Sequence, residues 1–242
     1  MNLGLFGESL GYSFSASYFK AKFEREGLLH HHYSNCELPS IEAVQAYLDS
    51  PDWQGFNVTI PYKQSIIPFL DGLSPDAKAI GAVNTLKRSE GKWFGYNTDH
   101  LGFRKAIFNK WPDLKPNRAL VLGSGGASKA IIYALKQMEV AVQLVSRSPN
   151  AEAISYLDAQ NQLLDFPLVI NTSPLGTFPD VEQMPLLIPQ GDLQNHYFMD
   201  LIYNPERSLW LQKAEESGAQ ICNGYPMLVQ QAEAAWEIWN RP

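Results

Sequence analysis

The stretch Arg118-Ala119-Leu120-Val121-Leu122-Gly123-Ser124-Gly125-Gly126-Ala127-Ser128 decides how the second half of the chain folds. Residues with strand character run into a glycine-rich turn, and Ala130-Ile131-Ile132-Tyr133-Ala134-Leu135 beyond it reads as a helix. Glycines at such a turn let the backbone approach a pyrophosphate, and the helix N-terminus supplies N–H groups and partial positive charge. A second strand over 141–145 completes a βαβ unit. The placement of the turn, more than its glycines, points to dinucleotide binding by Gly123, Ser124, Gly125, Gly126 and Ala127; a flavodoxin-like or other phosphate-binding turn is the alternative. The second strand ends Val145-Ser146-Arg147-Ser148, without the acid that holds a ribose 2′-hydroxyl in NAD sites. An arginine there suits a 2′-phosphate through charge-assisted hydrogen bonds, which favours NADP, with NAD as the alternative.

Outward from this unit, short apolar runs alternate with amphipathic ones, the pattern of α/β architecture. Upstream, strands are predicted over 2–6, 32–38 and 55–60, helices over 15–26 and 40–48, and a hairpin joins 85–88 to 93–96 around Glu90-Gly91. Pro61 stands where a helix would begin, because proline is tolerated in a first turn. The segment 111–117, polar and with two prolines, reads as a linker. Downstream, strands over 168–170 and 198–201 and a helix over 208–217 continue the alternation, and a last helix over 227–239 carries Trp236 and Trp239 on its apolar side. The expected organisation is an N-terminal α/β substrate domain, 1–99 with 224–242 packing back, and a Rossmann-like, doubly wound dinucleotide-binding domain over 100–223.

The 242 residues suffice for two modest cores, and 45% hydrophobic residues place the chain among ordinary globular proteins. A net charge of −6 without a basic run argues against nucleic acid. No stretch approaches the ~20 apolar residues that span a bilayer, and the N-terminus lacks a basic, signal-like region. Cys36 and Cys222, far apart in sequence, read as free thiols of a reducing compartment, so the cytoplasm is expected. His30, His31 and His32 alternate in direction on a strand and read as its solvated start, not as metal ligands. A monomer and a homodimer both fit these numbers.

Chemistry concentrates in Gly55-Phe56-Asn57-Val58-Thr59-Ile60-Pro61-Tyr62-Lys63, where a strand delivers Asn57 and Thr59 and a lysine follows. A cation in a first helical turn opposes the helix dipole, so Lys63 calls for a reason. Asn84 and Asp99 come later. A lysine and an aspartate facing one ligand suit carbonyl reduction, since the new alkoxide needs a proton and nearby positive charge. From spacing alone, a surface lysine and a helix-capping aspartate would explain the same residues.

These segments resemble, in order and spacing, the signature motifs of the shikimate dehydrogenase family. The resemblance rests on the 55–63 motif, Gly81-Ala82-Val83-Asn84-Thr85, Asn97-Thr98-Asp99, Asp200-Leu201-Ile202-Tyr203-Asn204-Pro205 and Gly224-x-x-Met227-Leu228-Val229-x-Gln231. It implies a two-domain oxidoreductase that reduces 3-dehydroshikimate to shikimate with NADP. Lys63 and Asp99 would be the catalytic pair, and Ser13, Ser15, Asn57, Thr59, Asn84, Tyr203 and Gln231 would hold the substrate. The cofactor would meet the glycine turn, Ser146, Arg147, Ser148 and Gly224. Two positions depart from the family's His-Ser-x-Ser-Pro motif, Tyr12 and Ala16, and no second basic residue follows Arg147. Alternatives are a quinate/shikimate dehydrogenase using NAD or NADP, a non-catalytic shikimate-binding relative and, more distantly, a folate-linked dehydrogenase.

Overall fold

In the computed structural model, which describes every residue except Tyr12, Gln190 and Pro242, the chain divides into one unit of Met1–Thr98 with Ala232–Pro242 and a second of Asp99–Gln231. The first contains β1 (Asn2–Gly7), α1 (Phe14–Arg25), β2 (His32–Glu37), α2 (Val44–Asp49), β3 (Gly55–Val58), β4 (Gly72–Leu73), α3 (Pro75–Ile80), β5 (Thr85–Ser89) and β6 (Lys92–Tyr96). They form a mixed sheet of order β2-β1-β3-β5-β6-β4. β1 is parallel to both neighbours, whereas β3, β5 and β6 pair antiparallel. Alternation of side chains across a strand gives this sheet two cores. Phe6, Phe56, Val58 and Leu86 pack with Val44 and Leu48 of α2. Leu3 packs instead with Phe19 and Phe23 of α1 and with Ala232, Ala235 and Trp239 near the C-terminus. The Trp239 indole N–H donates to the Leu86 carbonyl at 2.9 Å, and a Cβ at Gly55 would collide with its ring. The hairpin turns at Glu90 and Gly91, both with positive φ (51° and 77°), the sense of turn that matches strand twist.

Two expectations fail in this unit. No helix follows Pro61: residues 60–66 are turns, and a short 3₁₀ segment covers Ile67–Phe69. The cause is competition for the backbone. The Lys63 carbonyl, which a helix would offer to Ile67, accepts from the Val83 amide at 2.7 Å, while the Ile67 amide turns to Gln64. The dipole argument for Lys63 therefore falls. Nor is His31 fully solvated: half-buried, its ring lies between Phe23 and Trp236, with centroids at 5.5 and 5.6 Å, and burial lowers its pKa.

The second unit contains α4 (Asp99–Lys110), β7 (Arg118–Leu122), α5 (Gly126–Gln137), β8 (Ala141–Val145), β9 (Ala153–Ile154), α6 (Tyr156–Gln162), β10 (Leu168–Asn171), β11 (Tyr197–Asp200), α7 (Leu209–Glu216) and β12 (Gln220–Cys222). The last helix, α8 (Tyr225–Asn240), begins here and ends among the residues of the first unit. All strands pair in parallel, in the order β12-β11-β10-β7-β8-β9. Numbered within the unit, this is 3-2-1-4-5-6, the doubly wound dinucleotide-binding order, as expected. A parallel sheet is covered on both faces, so β7 reads as a continuous apolar run. Ala119 and Val121 meet Phe103 and Ile107 of α4 and Ile131 of α5. Leu120 and Leu122 meet Ala159 of α6 and Trp210 of α7. The proline-containing segment 111–117 is no interdomain linker, because it joins α4 to β7 inside this unit with Trp111 buried in its core. Among the described residues, no helix is long and apolar enough to cross a membrane.

Candidate functional site

The glycine turn lies at the carboxyl end of β7, beside β10, where the strand order reverses. Open α/β sheets bind ligands at that switch point. Gly123 adopts φ +104°, and a Cβ there would approach the Thr172 hydroxyl to 3.0 Å. Only glycine combines this conformation with so close a neighbour. Gly125 caps α5 with an ordinary φ of −80°, and no heavy atom lies within 4 Å of its added Cβ position. The space above the helix N-terminus is thus open to a phosphate. Ser128, buried behind the turn, donates to the Gly125 carbonyl at 2.6 Å. The Ser124 and Ser146 hydroxyls are 3.3 Å apart, and the Ser148 amide donates to the Ser146 oxygen at 3.2 Å. Arg147 is exposed and near enough to Tyr156 to favour the phenolate against its burial. Open glycine, helix N-terminus, hydroxyls and exposed guanidinium fit a dinucleotide with a 2′-phosphate.

In the first unit, two of the polar residues singled out in sequence, Asn57 and Asn84, are joined through buried hydrogen bonds. Ser13 is the N-cap of α1, its oxygen accepting from the Ala16 amide at 3.4 Å; Tyr12 lies outside the described residues. Ser15 is buried one step inside the helix. Asn57, buried on β3, donates from Nδ2 to the Asn84 carbonyl and the Thr85 hydroxyl, both at 3.2 Å. Asn84 in turn accepts from the Thr98 amide at 2.7 Å and donates to the Thr98 hydroxyl at 2.9 Å. The Asn97 side chain donates to the Ala82 carbonyl at 3.0 Å. The 81–85 and 97–99 motifs are thereby locked together, and Thr98 immediately precedes Asp99. Thr59 and Lys63 are half-buried at the end of β3 and in the turn after it.

In the second unit, Asp99 is the buried first residue of α4. Gly102, one turn later, brings α8 close: a Cβ there would lie 2.7 Å from the Met227 carbonyl oxygen and 2.8 Å from the Gln231 amide nitrogen. Gln231, mostly buried, donates to the Leu228 carbonyl at 3.0 Å, and Tyr203 is more exposed, in the loop after β11. Asp200 is fully buried and organises that loop. It accepts from Asn171 Nδ2 at 3.0 Å, the Ile202 amide at 3.1 Å and the Ser208 hydroxyl at 2.6 Å. Burial nevertheless raises its pKa to about 6. Asn171 also accepts from the Ser173 amide and hydroxyl, at 2.9 and 2.7 Å. The signal for this network was Asn171-Thr172-Ser173 at a strand end, where short polar side chains satisfy loop amides. Gly224 owes its identity to packing, since a Cβ would clash with the Leu201 carbonyl. Cys36 and Cys222 are both free and buried, and burial raises each thiol to about 11.

Comparison with known proteins agrees with the fold. Residues 5–86 match the family model of the shikimate dehydrogenase substrate binding domain. Shikimate dehydrogenase (NADP(+)) of Caldicellulosiruptor bescii is 35% identical over 98% of this chain and 88% of its own length. The enzyme of the same name from Staphylococcus aureus strain RF122 is 35% identical over 99% of this chain and 92% of its own. The structure of Thermus thermophilus shikimate 5-dehydrogenase in complex with NADP(H) and shikimate superposes with a TM-score of 0.88 at 30% identity, covering 99% of this chain and 93% of the other. The chain belongs to the shikimate dehydrogenase family.

Proposed function

We propose that this protein catalyses the NADP-linked interconversion of 3-dehydroshikimate and shikimate, on the route to chorismate and the aromatic amino acids. Kinship along 98% of the chain with a relative named shikimate dehydrogenase (NADP(+)) is the observation that carries this most directly. The first unit, which contains the 5–86 match, takes the substrate-binding role, and the doubly wound second unit the cofactor-binding one. We place the enzyme in the cytoplasm, in keeping with its two free thiols.

When bound, the nicotinamide supplies the hydride. Negative charge then builds on the former carbonyl oxygen, and Lys63 offers it a positive charge and a proton. Asp99 partners Lys63 in handling that proton. Ser13 and Ser15 receive the substrate carboxylate, while Asn57, Thr59, Asn84, Tyr203 and Gln231 receive its hydroxyls. Arg147, Ser146 and Ser148 hold the 2′-phosphate side of the cofactor, and Gly123 to Ala127, with Gly224, line its path. Steady-state rates with shikimate and quinate, each with NADP⁺ and NAD⁺, test the assignment. Shikimate with NADP⁺ should be the best pair. A protein inert toward shikimate with both cofactors would overturn it.

A further inference from the structure

Tyr33 is assigned no role by any motif, yet it is hydrogen-bonded to one of the proposed substrate-binding residues. It lies on β2, an edge strand of the first sheet. Its hydroxyl donates to Asn57 Oδ1 at 2.7 Å. The ring stacks on Phe19, with centroids 4.6 Å apart and planes 19° from parallel, and leans on Trp239 at 6.3 Å. Burial pushes the phenol well above its ordinary pKa, so it remains a neutral donor at physiological pH.

Asn57 Nδ2 faces the Asn84 carbonyl, which can only accept, so the carboxamide has one sensible orientation. Both hydrogens of Nδ2 are spent on Asn84 and Thr85. One lone pair of Oδ1 is taken by Tyr33. The second lone pair is left to accept from a ligand hydroxyl. We propose that Tyr33 is a positioning residue for substrate: it fixes Asn57 as a hydrogen-bond acceptor for a substrate hydroxyl. This inference rests on the shikimate reading of the site.

Tyr33→Phe tests it, because the ring and its stacking on Phe19 survive while the hydroxyl goes. Loss of one neutral hydrogen bond predicts a rise of about three- to tenfold in KM for shikimate, exceeding any fall in kcat, with KM for NADP⁺ unchanged. In an Asn57→Ala background the same substitution should add much less, since the two residues act through one contact. A wild-type KM for shikimate in Tyr33→Phe overturns the inference and leaves the enzyme's assignment standing. Full additivity with Asn57→Ala, or matching losses in both KM values together with a lowered thermal midpoint, also overturns it by reducing Tyr33 to a packing residue. If the unmodified protein neither binds nor oxidises shikimate, the functional assignment falls and this inference with it.

Discussion

The Val83 amide donates to the Lys63 carbonyl oxygen at 2.7 Å, so the residue proposed to move a proton is held by its main chain. The bond fastens the end of the 55–63 motif to the 81–85 motif. Val58 adds a second tie, its amide donating to the Asn84 carbonyl at 2.9 Å. Tyr62, next to Lys63, is buried and donates its hydroxyl to the Leu38 carbonyl at 2.7 Å. The turn carrying Lys63 is thus anchored on both sides by main-chain bonds and by Tyr62.

Lys63→Ala should therefore leave the turn intact and act on chemistry. Loss of a proton donor lowers kcat by a factor on the order of 10² to 10⁴, with a much smaller change in substrate binding and little change in thermal midpoint. Saturating rates with shikimate and NADP⁺, beside a melting curve, separate the effects. Near-normal kcat with a greatly raised KM would show that Lys63 only binds.

How far the sequence carried this reading depends on where the deciding contacts lie. Periodicity over 118–145 was enough for the βαβ unit, because a buried parallel strand is apolar throughout and its glycine turn is local. The turn at 60–66 was missed because its determinant, the Val83 amide, lies twenty residues away. Local propensity sees proline and proposes a helix; it cannot see a long-range partner taking the carbonyl of Lys63. The same limit hid Asp200, whose partners Asn171 and Ser208 come from other segments, and the packing of His31 on Trp236. Site residues were legible as motifs, whereas Tyr33 stood within a strand with nothing to mark it.

Arg147→Ala should weaken NADP⁺ far more than NAD⁺, because only NADP⁺ presents a phosphate to that exposed side chain. A lost charge-assisted hydrogen bond costs roughly 1.5–3 kcal/mol, or about 10- to 150-fold in affinity. Titration of each cofactor against the variant reads this directly. Equal weakening of both would place the arginine on the adenine or in the fold.

Gly125 and Gly224 should respond in opposite ways to alanine. Space around Gly125 is open and its φ is ordinary, so Gly125→Ala should fold normally while its methyl obstructs the cofactor and raises KM for NADP⁺. At Gly224 the methyl would strike the Leu201 backbone, which cannot move aside as a side chain can. Gly224→Ala should lose about 3 kcal/mol or more of stability. Comparable thermal midpoints for the two variants would refute the contrast.

Asp200 predicts a pH signature. Its folded pKa of about 6 exceeds the ordinary 3.8, so between these values the folded protein keeps a proton that the unfolded chain releases. The group's contribution to stability therefore falls as pH rises from about 4 to 6 and stays low above that. The shift corresponds to roughly 2–3 kcal/mol. Asp200→Asn keeps an acceptor for Asn171 and Ile202 and abolishes the titration. Urea unfolding at several pH values should show the variant gaining on the wild type across pH 4 to 6, with a level difference at higher pH. A difference that does not change with pH would mean that Asp200 does not titrate in this window.

The carboxylate assignment is the most exposed prediction. A hydroxylated cyclohexene carboxylate offers one anionic group and several hydroxyls, so its site needs short neutral donors more than cations. Lys63 is the one cation in the proposed set. Ser13 and Ser15 differ in what else they do, and that difference makes the test selective. Ser13 caps α1, so Ser13→Ala should cost about 0.5–1 kcal/mol of stability as well as raising KM for shikimate. Ser15 lies buried inside the helix and is not its cap, so Ser15→Ala should raise KM with a smaller loss of stability. A site built from hydroxyls and amides rejects a substrate missing one hydroxyl, because its own buried groups are left unpaired. Simple 2-hydroxy acids should then not be oxidised, and quinate should be much slower than shikimate. Unchanged KM in both serine variants would move the carboxylate elsewhere. Equal turnover of quinate and shikimate would end the claimed specificity while leaving the Lys63 chemistry in place.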